Sequence, residues 1–233
     1  MGQERREIDS VWPIVLISDV RPESGSTGQK NLTFIEAARR AQIVTAAIDT
    51  IAELGYGQAS LARIAERAGT SKGVISYHFA GKDDLIREIA AEVLARGEAY
   101  MLPRILAESS GRGALRAYIE SNLAFMREYR NHVVAILDIF LNARGEDGSP
   151  LVGEKSLDHV VTSLEQLLAH FQAAGDFRPD FNPHVMALAI RGAIDQAPPR
   201  LARYPDFDVD GYARELAALF DLATRGEPER PEG

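Results

Sequence analysis

Residues 60–79 read SLARIAERAGTSKGVISYHF, and this stretch decides the fold of the first part of the chain. The apolar residues after Ser60 recur at the i, i+3, i+4 and i+7 positions of one helical face, which predicts a short helix. The Ser60 hydroxyl can cap its first turn. Gly69 then turns the chain, and Thr70 or Ser71 can cap a second short helix. Two short helices joined by a tight glycine turn predict a helix-turn-helix.

The second of these helices has an apolar face and a polar face. The apolar residues predicted to lock the two helices together are Leu61, Ile64, Ala65, Val74 and Phe79. The polar face offers one cation, a glycine and hydrogen-bonding side chains of different reach, at Ser71, Lys72, Gly73, Ser76, Tyr77 and His78. Such a helix fits the major groove of DNA, which is about 12 Å wide. Ser60 and Lys82 are predicted at helix N-termini, where free amides and the helix dipole favour phosphate.

The composition narrows the classes of protein that fit this motif. The 233-residue chain contains no cysteine, which excludes disulfides, thiolate zinc sites and a cysteine nucleophile. Its formal net charge of −8 argues against a protein that coats nucleic acid indiscriminately. Residues 59–82 nevertheless carry several basic side chains and a single acidic one, Glu66. This local excess of positive charge predicts a confined contact with DNA.

Helical periodicity continues through most of the chain. Thr33 and Glu36 form a capping box that predicts the start of a helix, and a long helix is predicted from Asp83. Asn182 and Pro183 predict the cap and the first residue of another helix. The other apolar-periodic segments are residues 115–129, 133–141, 157–171, 185–197 and 210–223. No useful alternating run follows residue 20, so the sequence predicts an all-α fold.

Prolines and the chain ends are predicted to depart from regular helix. Pro103 predicts a kink or break near the far end of the helix from Asp83, and Pro198-Pro199 predicts a distortion or an early helix end. Residues 1–33 are predicted to be a flexible N-terminal extension, with an arm packed on the body as the alternative, and residues 227–233 a tail. The apolar run 11–20 is too short for a bilayer and lacks signal-peptide features, which predicts a cytoplasmic protein without a membrane segment.

The segment from Arg40 through Leu85 resembles the whole DNA-binding domain of the TetR/AcrR family of transcriptional regulators. The resemblance rests on the strings QIVTAAIDTIAELGY, SLARIAERAGTSKGVISYHF and GKDDLI. It implies a three-helix helix-turn-helix DNA-binding domain at residues 34–81. It also implies a larger helical ligand-binding and dimerisation domain at residues 82–226.

The resemblance assigns DNA contacts mainly to the second helix of the motif. It implies that Tyr77 and Lys82 lie mainly at phosphates. Two positions depart from the commonest family pattern, since Val74 stands where threonine is usual and Ser76 where tyrosine is usual. The complete predicted DNA-binding set is Ser60, Ser71, Lys72, Gly73, Val74, Ser76, Tyr77, His78 and Lys82.

Beyond residue 86 the family shares architecture more than sequence. Residues 204–216 still resemble the family's link into its final helix. This resemblance implies that helices 182–203 and 210–225 pair with their mates in a four-helix homodimer interface. Apolar patterning alone leaves open that these faces only close the core of the monomer. A symmetric dimer suits a palindromic operator.

Polar and aromatic residues at interior positions of the larger domain predict a cavity for a small effector molecule. The predicted ligand-binding residues are Tyr118, Asn122, Phe125, Met126, Asp138, Phe140, Phe171, Met186, Arg191 and Asp195. No cofactor or metal is predicted, because the five histidines lack the spacing of metal ligands.

The sequence therefore predicts a ligand-responsive transcriptional regulator, a repressor, that binds palindromic operator DNA as a homodimer. The alternatives are a constitutive DNA-binding dimer without an effector and, as a more distant case, a helical enzyme. Residues 69–73 match the G-x-S-x-G nucleophile elbow, but that elbow requires a preceding strand, and the preceding segment here is predicted to be helical. The chain is therefore predicted not to be an enzyme.

Overall fold

The computed structural model describes residues 34–152 and 155–226, with the side chains of residues 155–158 excepted. The described residues form ten α-helices and no β-strand, apart from an isolated bridge between Arg144 and Pro150. The helices are α1 Phe34–Leu54, α2 Leu61–Arg67, α3 Lys72–His78, α4 Lys82–Leu106, α5 Gly111–Glu128, α6 Arg130–Asn142, α7 Lys155–Ala173, α8 Pro183–Ile194, α9 Ala197–Arg203 and α10 Val209–Thr224. The predicted all-α fold is confirmed.

Polar side chains define where several of these helices begin. The Ser60 hydroxyl accepts a hydrogen bond from the Arg63 amide at 3.3 Å, and the Ser71 hydroxyl accepts one from Val74 at 3.3 Å. The Asn182 side-chain oxygen accepts from the Val185 amide at 3.1 Å. These bonds satisfy amides that have no partner inside the helix. They confirm the predicted caps, and they decide between Thr70 and Ser71 in favour of Ser71. The predicted cap at Thr33 lies outside the described residues.

The prolines act differently in the two places where irregularity was predicted. Pro103 lies inside α4, which continues to Leu106, so the helix is not broken there. The segment predicted as one helix around residues 182–203 is instead divided, because α8 ends at Ile194 and α9 begins at Ala197. Pro198 occupies the first turn of α9, where the missing N–H is not needed. This explains why the break precedes the prolines.

One connected core runs through the described residues. α1, α2 and α3 pack at one end, where Ile43, Ile64 and Ile75 have no solvent exposure. α4 leaves this end and packs on α5, and α5 also packs along α10. α6 lies between the two regions because it contacts both α1 and α4. No helix in the described ranges is both long and apolar enough to cross a membrane.

Candidate functional site

The polar face of α3 lies on the surface of the molecule. Ile75 is fully buried and fixes the inner face of this short helix against the core. Five of the predicted DNA-binding residues are exposed on or beside α3: Ser71, Lys72, Gly73, Ser76 and Tyr77. The Tyr77 side chain is 74% exposed, which is unusual for so large an aromatic residue. This geometry leaves the outer face of α3 free for a groove-shaped partner.

Two other members of the predicted set contribute to packing as well. Val74 is half-buried and packs against the hydrophobic core, and His78 is half-buried at the last residue of α3. The rings of Tyr77 and His78 meet edge to face with centroids 5.1 Å apart. The Tyr77 hydroxyl donates to the Glu36 carboxylate at 3.2 Å. α1 therefore helps to orient the exposed tyrosine.

Side chains of α1 also cap the C-terminal ends of α2 and α3. The Gln42 amide donates to the Ala68 carbonyl at 2.9 Å. The Arg40 guanidinium donates to the His78 carbonyl at 2.5 Å and lies 4.3 Å from the centre of the Phe79 ring. A cation at this end of α3 also opposes the negative end of the helix dipole. Sequence reasoning missed both capping residues, because neither shows a local motif.

Arg40 further connects the motif to α4. A second guanidinium nitrogen donates to the Glu88 carboxylate at 2.8 Å. One arginine of α1 thus binds both α3 and α4 and connects the three helices. The exposed face of α3 is therefore stabilised from the opposite side of the helix by charge-assisted hydrogen bonds as well as by apolar packing.

The two predicted N-terminal phosphate contacts differ in their surroundings. Ser60 is exposed and uses its hydroxyl as the cap of α2. Lys82 is half-buried at the start of α4, and its ammonium donates to the Tyr56 carbonyl at 2.8 Å. The same ammonium lies 4.0 Å from the centre of the Tyr56 ring. Burial lowers the pKa of Lys82, while the negative charges of Asp83 and Asp138 oppose that shift.

The predicted ligand-binding residues divide into separate places. Four of them form a polar cluster inside the larger domain, with Tyr118 and Asn122 on α5 and Arg191 and Asp195 on α8. One Arg191 nitrogen donates to the Tyr118 hydroxyl and to the Asn122 oxygen, each at 3.2 Å, and the other donates to Asp195 at 2.5 Å. Only 12% of the Arg191 side chain is exposed, whereas 48% of the Asp195 side chain is.

The other predicted ligand residues lie elsewhere. Phe125 is buried and stacks on Tyr129, with ring centroids 5.0 Å apart and Tyr100 nearby. Met126 is buried, while Phe140 and Met186 are half-buried against the core. Phe171 lies 6.2 Å from Phe177 between ring centroids, close to the start of α5 at Gly111. Asp138 points to the α1–α2 turn, where it accepts a hydrogen bond from the Tyr56 amide at 2.5 Å.

Comparisons with known proteins agree with this architecture. Residues 43–89 match the family model described as bacterial regulatory proteins, tetR family. The chain is 38% identical over 89 residues to the HTH-type transcriptional regulator BetI 1 of Chromohalobacter salexigens. That alignment covers 38% of this chain and 44% of the relative. The chain thus spans less than half the length of this curated relative.

Solved structures extend the likeness to the larger domain. The fatty acid degradation regulator FadR from Bacillus halodurans superposes with a TM-score of 0.67 at 20% identity, covering 78% of this chain and 93% of that one. AibR, solved in complex with isovaleryl coenzyme A and operator DNA, superposes with a TM-score of 0.65 at 22% identity, covering 78% and 97%. At these identities the likeness shows a shared fold. The match over residues 43–89 identifies the helix-turn-helix as that of the tetR family of bacterial regulatory proteins, and the solved structures show that the rest of the described chain shares the fold of such regulators.

Proposed function

We propose that this protein is a transcriptional repressor that binds palindromic operator DNA as a homodimer and changes its DNA affinity when a small effector binds. The observation that carries the proposal is the exposed polar face of α3, which Ile75 fixes from inside and Arg40 caps from behind. A helix that is fixed from inside and exposes a polar face can enter a major groove without rearrangement of the protein.

The predicted DNA-binding residues are proposed to divide between positioning and base recognition. Tyr77, with its hydroxyl at the surface, is proposed to contact phosphate, because phosphate contacts orient the protein without specifying sequence. Lys72 is exposed at the first residue of α3 and is proposed to approach base edges. A lysine can donate to the guanine O6 and N7 atoms.

A DNA-binding measurement with matched variants tests this division. Fluorescence anisotropy would use a duplex that the wild-type protein enriches from a random-sequence pool. Lys72→Ala is expected to weaken binding by about 5-fold to 100-fold and to relax base preference. Tyr77→Phe is expected to weaken binding about 2-fold to 10-fold on all duplexes. Arg116→Ala, an exposed cation on α5, is the control and should bind as wild type. Wild-type affinity in both α3 variants would contradict the assignment.

The homodimer is supported by an apolar surface on two neighbouring helices. Val185 and Leu188 of α8 are 60% and 49% exposed, and Leu219 and Leu222 of α10 are each 56% exposed. α8 and α10 approach each other where the Tyr212 hydroxyl donates to the Ala193 carbonyl at 2.6 Å. An apolar patch on paired helices suits a two-fold interface, in which the same surface is used on both subunits.

Sedimentation velocity tests this interface. Leu219→Asp is expected to shift the protein toward monomer, because it introduces a charge into the proposed contact. Leu141→Asp is the matched control, since Leu141 is 63% exposed at the end of α6. A dimer that survives Leu219→Asp and Leu188→Asp unchanged would contradict this placement of the interface.

The effector site is proposed at the polar cluster of Tyr118, Asn122, Arg191 and Asp195. A nearly buried guanidinium beside hydroxyl and amide groups suits a ligand with anionic or carbonyl oxygens. AibR, which shares the fold, is solved with isovaleryl coenzyme A, so acyl-CoA thioesters are the first compounds to test. A shift in DNA affinity with wild-type protein that is lost in Arg191→Met would support the site. DNA affinity that no compound changes would favour the constitutive dimer.

A further inference from the structure

The turn between α1 and α2 is held by two helices that come from outside the helix-turn-helix. The Tyr56 amide donates to the Asp138 carboxylate of α6 at 2.5 Å. The Tyr56 carbonyl accepts from the Lys82 ammonium of α4 at 2.8 Å. Both backbone polar groups of one residue thus find their partners on different helices. These two bonds add to the turn's own backbone bonds, in which the Gln58 and Ala59 amides donate to the Gly55 carbonyl at 3.2 and 3.1 Å.

The backbone of this turn is shaped for a close approach to α6. Gly55 has a φ of +82°, a left-handed conformation that glycine adopts with little strain. A Cβ atom at Gly55 would lie 3.5 Å from the nearer Asp138 carboxylate oxygen. The turn therefore lies directly against the Asp138 side chain, and a shift of α6 at this point must move the turn or break the bond.

Asp138 is itself oriented before it reaches the turn. Its other carboxylate oxygen accepts from the Asn142 amide, one helical turn further along α6, at 2.5 Å. Bonds from amides to a carboxylate are stronger than bonds between neutral groups. The negative charge of Asp138 also acts on the Lys82 ammonium on the other side of Tyr56. Asp138, Tyr56 and Lys82 thus form a continuous series of hydrogen bonds from α6 to the first residue of α4.

A second polar contact between the same regions provides a comparison. The Asn131 amide of α6 donates to the Asp49 carboxylate of α1 at 2.9 Å, on the exposed side of the helix pair. This contact ends on the body of α1 and touches neither Tyr56 nor Lys82. It has the same chemistry as the Asp138 contact but no connection to the proposed DNA surface.

We propose that Asp138 is a positioning residue for DNA binding. It holds the Gly55-Tyr56 turn against α6 and, through Tyr56, fixes the place of the Lys82 ammonium at the edge of the DNA-binding surface. Asp138 thereby makes the position of a phosphate-binding lysine depend on the position of α6 in the larger domain. The inference rests on the proposed DNA-binding function and assigns Asp138 a role distinct from ligand contact.

A double-mutant cycle on DNA affinity tests the connection. The variants are Asp138→Ala, Lys82→Ala and the double substitution, measured with the duplex that the wild-type protein enriches from a random-sequence pool. Asp138→Ala is expected to weaken binding about tenfold. The double variant should bind no more weakly than Lys82→Ala alone, because Asp138 acts through Lys82. Asn131→Ala, the matched control, should remain within about twofold of wild type. Additive losses, or equal effects of Asp138→Ala and Asn131→Ala, would overturn the proposal.

A measurement without DNA separates this inference from the proposed function. Hydrogen exchange of the Tyr56 amide, followed by NMR on the full chain, should be faster in Asp138→Ala than in wild type, while Asn131→Ala leaves it unchanged. Asp138→Asn preserves the size of the side chain and one acceptor oxygen, so the exchange rate of the Tyr56 amide should increase less than in Asp138→Ala. This variant replaces Asp138→Ala in the test if the alanine variant does not fold. Unchanged Tyr56 exchange in a folded Asp138 variant would overturn the contact. Wild-type protein that enriches no duplex would instead contradict the DNA-binding function.

Discussion

The outer face of α3 and the Arg191 cluster arrange polar groups in opposite ways. On α3 the polar side chains point to solvent, and the apolar Ile75 faces inward. In the cluster the polar groups of Tyr118 and Asn122 are buried and face Arg191 from another helix. The outer face of α3 is available to a partner outside the molecule, whereas the groups of the Arg191 cluster bind one another inside it. Substitutions in the two places should therefore affect different quantities.

The physical reason is the cost of leaving a buried polar group without a partner. Removal of an exposed side chain on α3 lets water replace its contacts, so the free energy of unfolding changes little. Removal of Arg191 leaves the buried Tyr118 hydroxyl and the buried Asn122 oxygen without their donor. DNA affinity should respond to the first kind of change, and stability should respond to the second.

The largest expected effect comes from a substitution on the buried side of α3, which should change stability and DNA affinity together. Ile75→Ala removes a fully buried side chain and should lower the free energy of unfolding by about 2–5 kcal/mol. DNA binding should fall with it, because the outer face of α3 depends on the inner one. Urea unfolding followed by circular dichroism measures the change. Ser76→Ala, next to it on the exposed face, is the control and should leave stability within about 0.5 kcal/mol.

A smaller effect on stability is expected in the polar cluster. Arg191→Met keeps much of the side-chain volume but removes the guanidinium N–H groups that donate to Tyr118, Asn122 and Asp195. The free energy of unfolding should fall by about 1–3 kcal/mol, while DNA affinity without effector stays near that of wild type. Arg200→Met on α9, where the arginine is exposed, should not change stability. A loss of DNA affinity in Arg191→Met equal to that in Ile75→Ala would show that the two regions are not separable.

The two regions also differ in how far the sequence predicted them. The helix-turn-helix is specified by signals a few residues apart, namely the Ser60 and Ser71 caps, the Gly69 turn and the helical spacing of apolar residues. These local signals place α2 and α3 within about one residue, whereas α5 begins at Gly111 and α6 at Arg130, four and three residues before the segments predicted at 115–129 and 133–141. The exposed face of α3 follows from the same spacing, because the apolar positions determine which side of the helix packs on the core.

The contacts between helices could not be predicted in this way. Arg40 and His78 are 38 positions apart, and Tyr56 and Asp138 are 82 apart, so no local pattern connects them. Asp138 was predicted to bind ligand because it is a charged residue on an apolar helix. The sequence pattern does not say which group lies next to the carboxylate. The packing of α6 on α1 determines that the Asp138 carboxylate lies beside the Tyr56 amide.

The smallest expected effect concerns the charge of a half-buried polar group, His132 in the first turn of α6. Burial lowers the pKa of His132, the positive charge of Arg96 lowers it further, and Glu92 and Asp49 oppose the shift. The folded protein therefore favours the neutral imidazole, which meets the Tyr129 ring edge to face at 5.5 Å. The unfolded chain takes up a proton near pH 6.5, so it binds more protons than the folded chain just below that pH.

The stability contributed by neutral His132 is thus present above about pH 6.5 and is lost as the pH falls from there to the lower pKa of the folded state. His132→Gln should show a smaller loss of unfolding free energy than wild type between pH 7.5 and 5.5, measured by urea titration at each pH. Arg96→Met leaves the imidazole buried but removes the nearby cation, so its loss should lie between the two. Burial is the larger cause of the shift, so Arg96→Met should remain closer to wild type. Identical pH dependence in wild type and His132→Gln would mean that partial burial does not lower the pKa of His132. The contrast between buried and exposed polar groups would then apply to the Arg191 cluster alone.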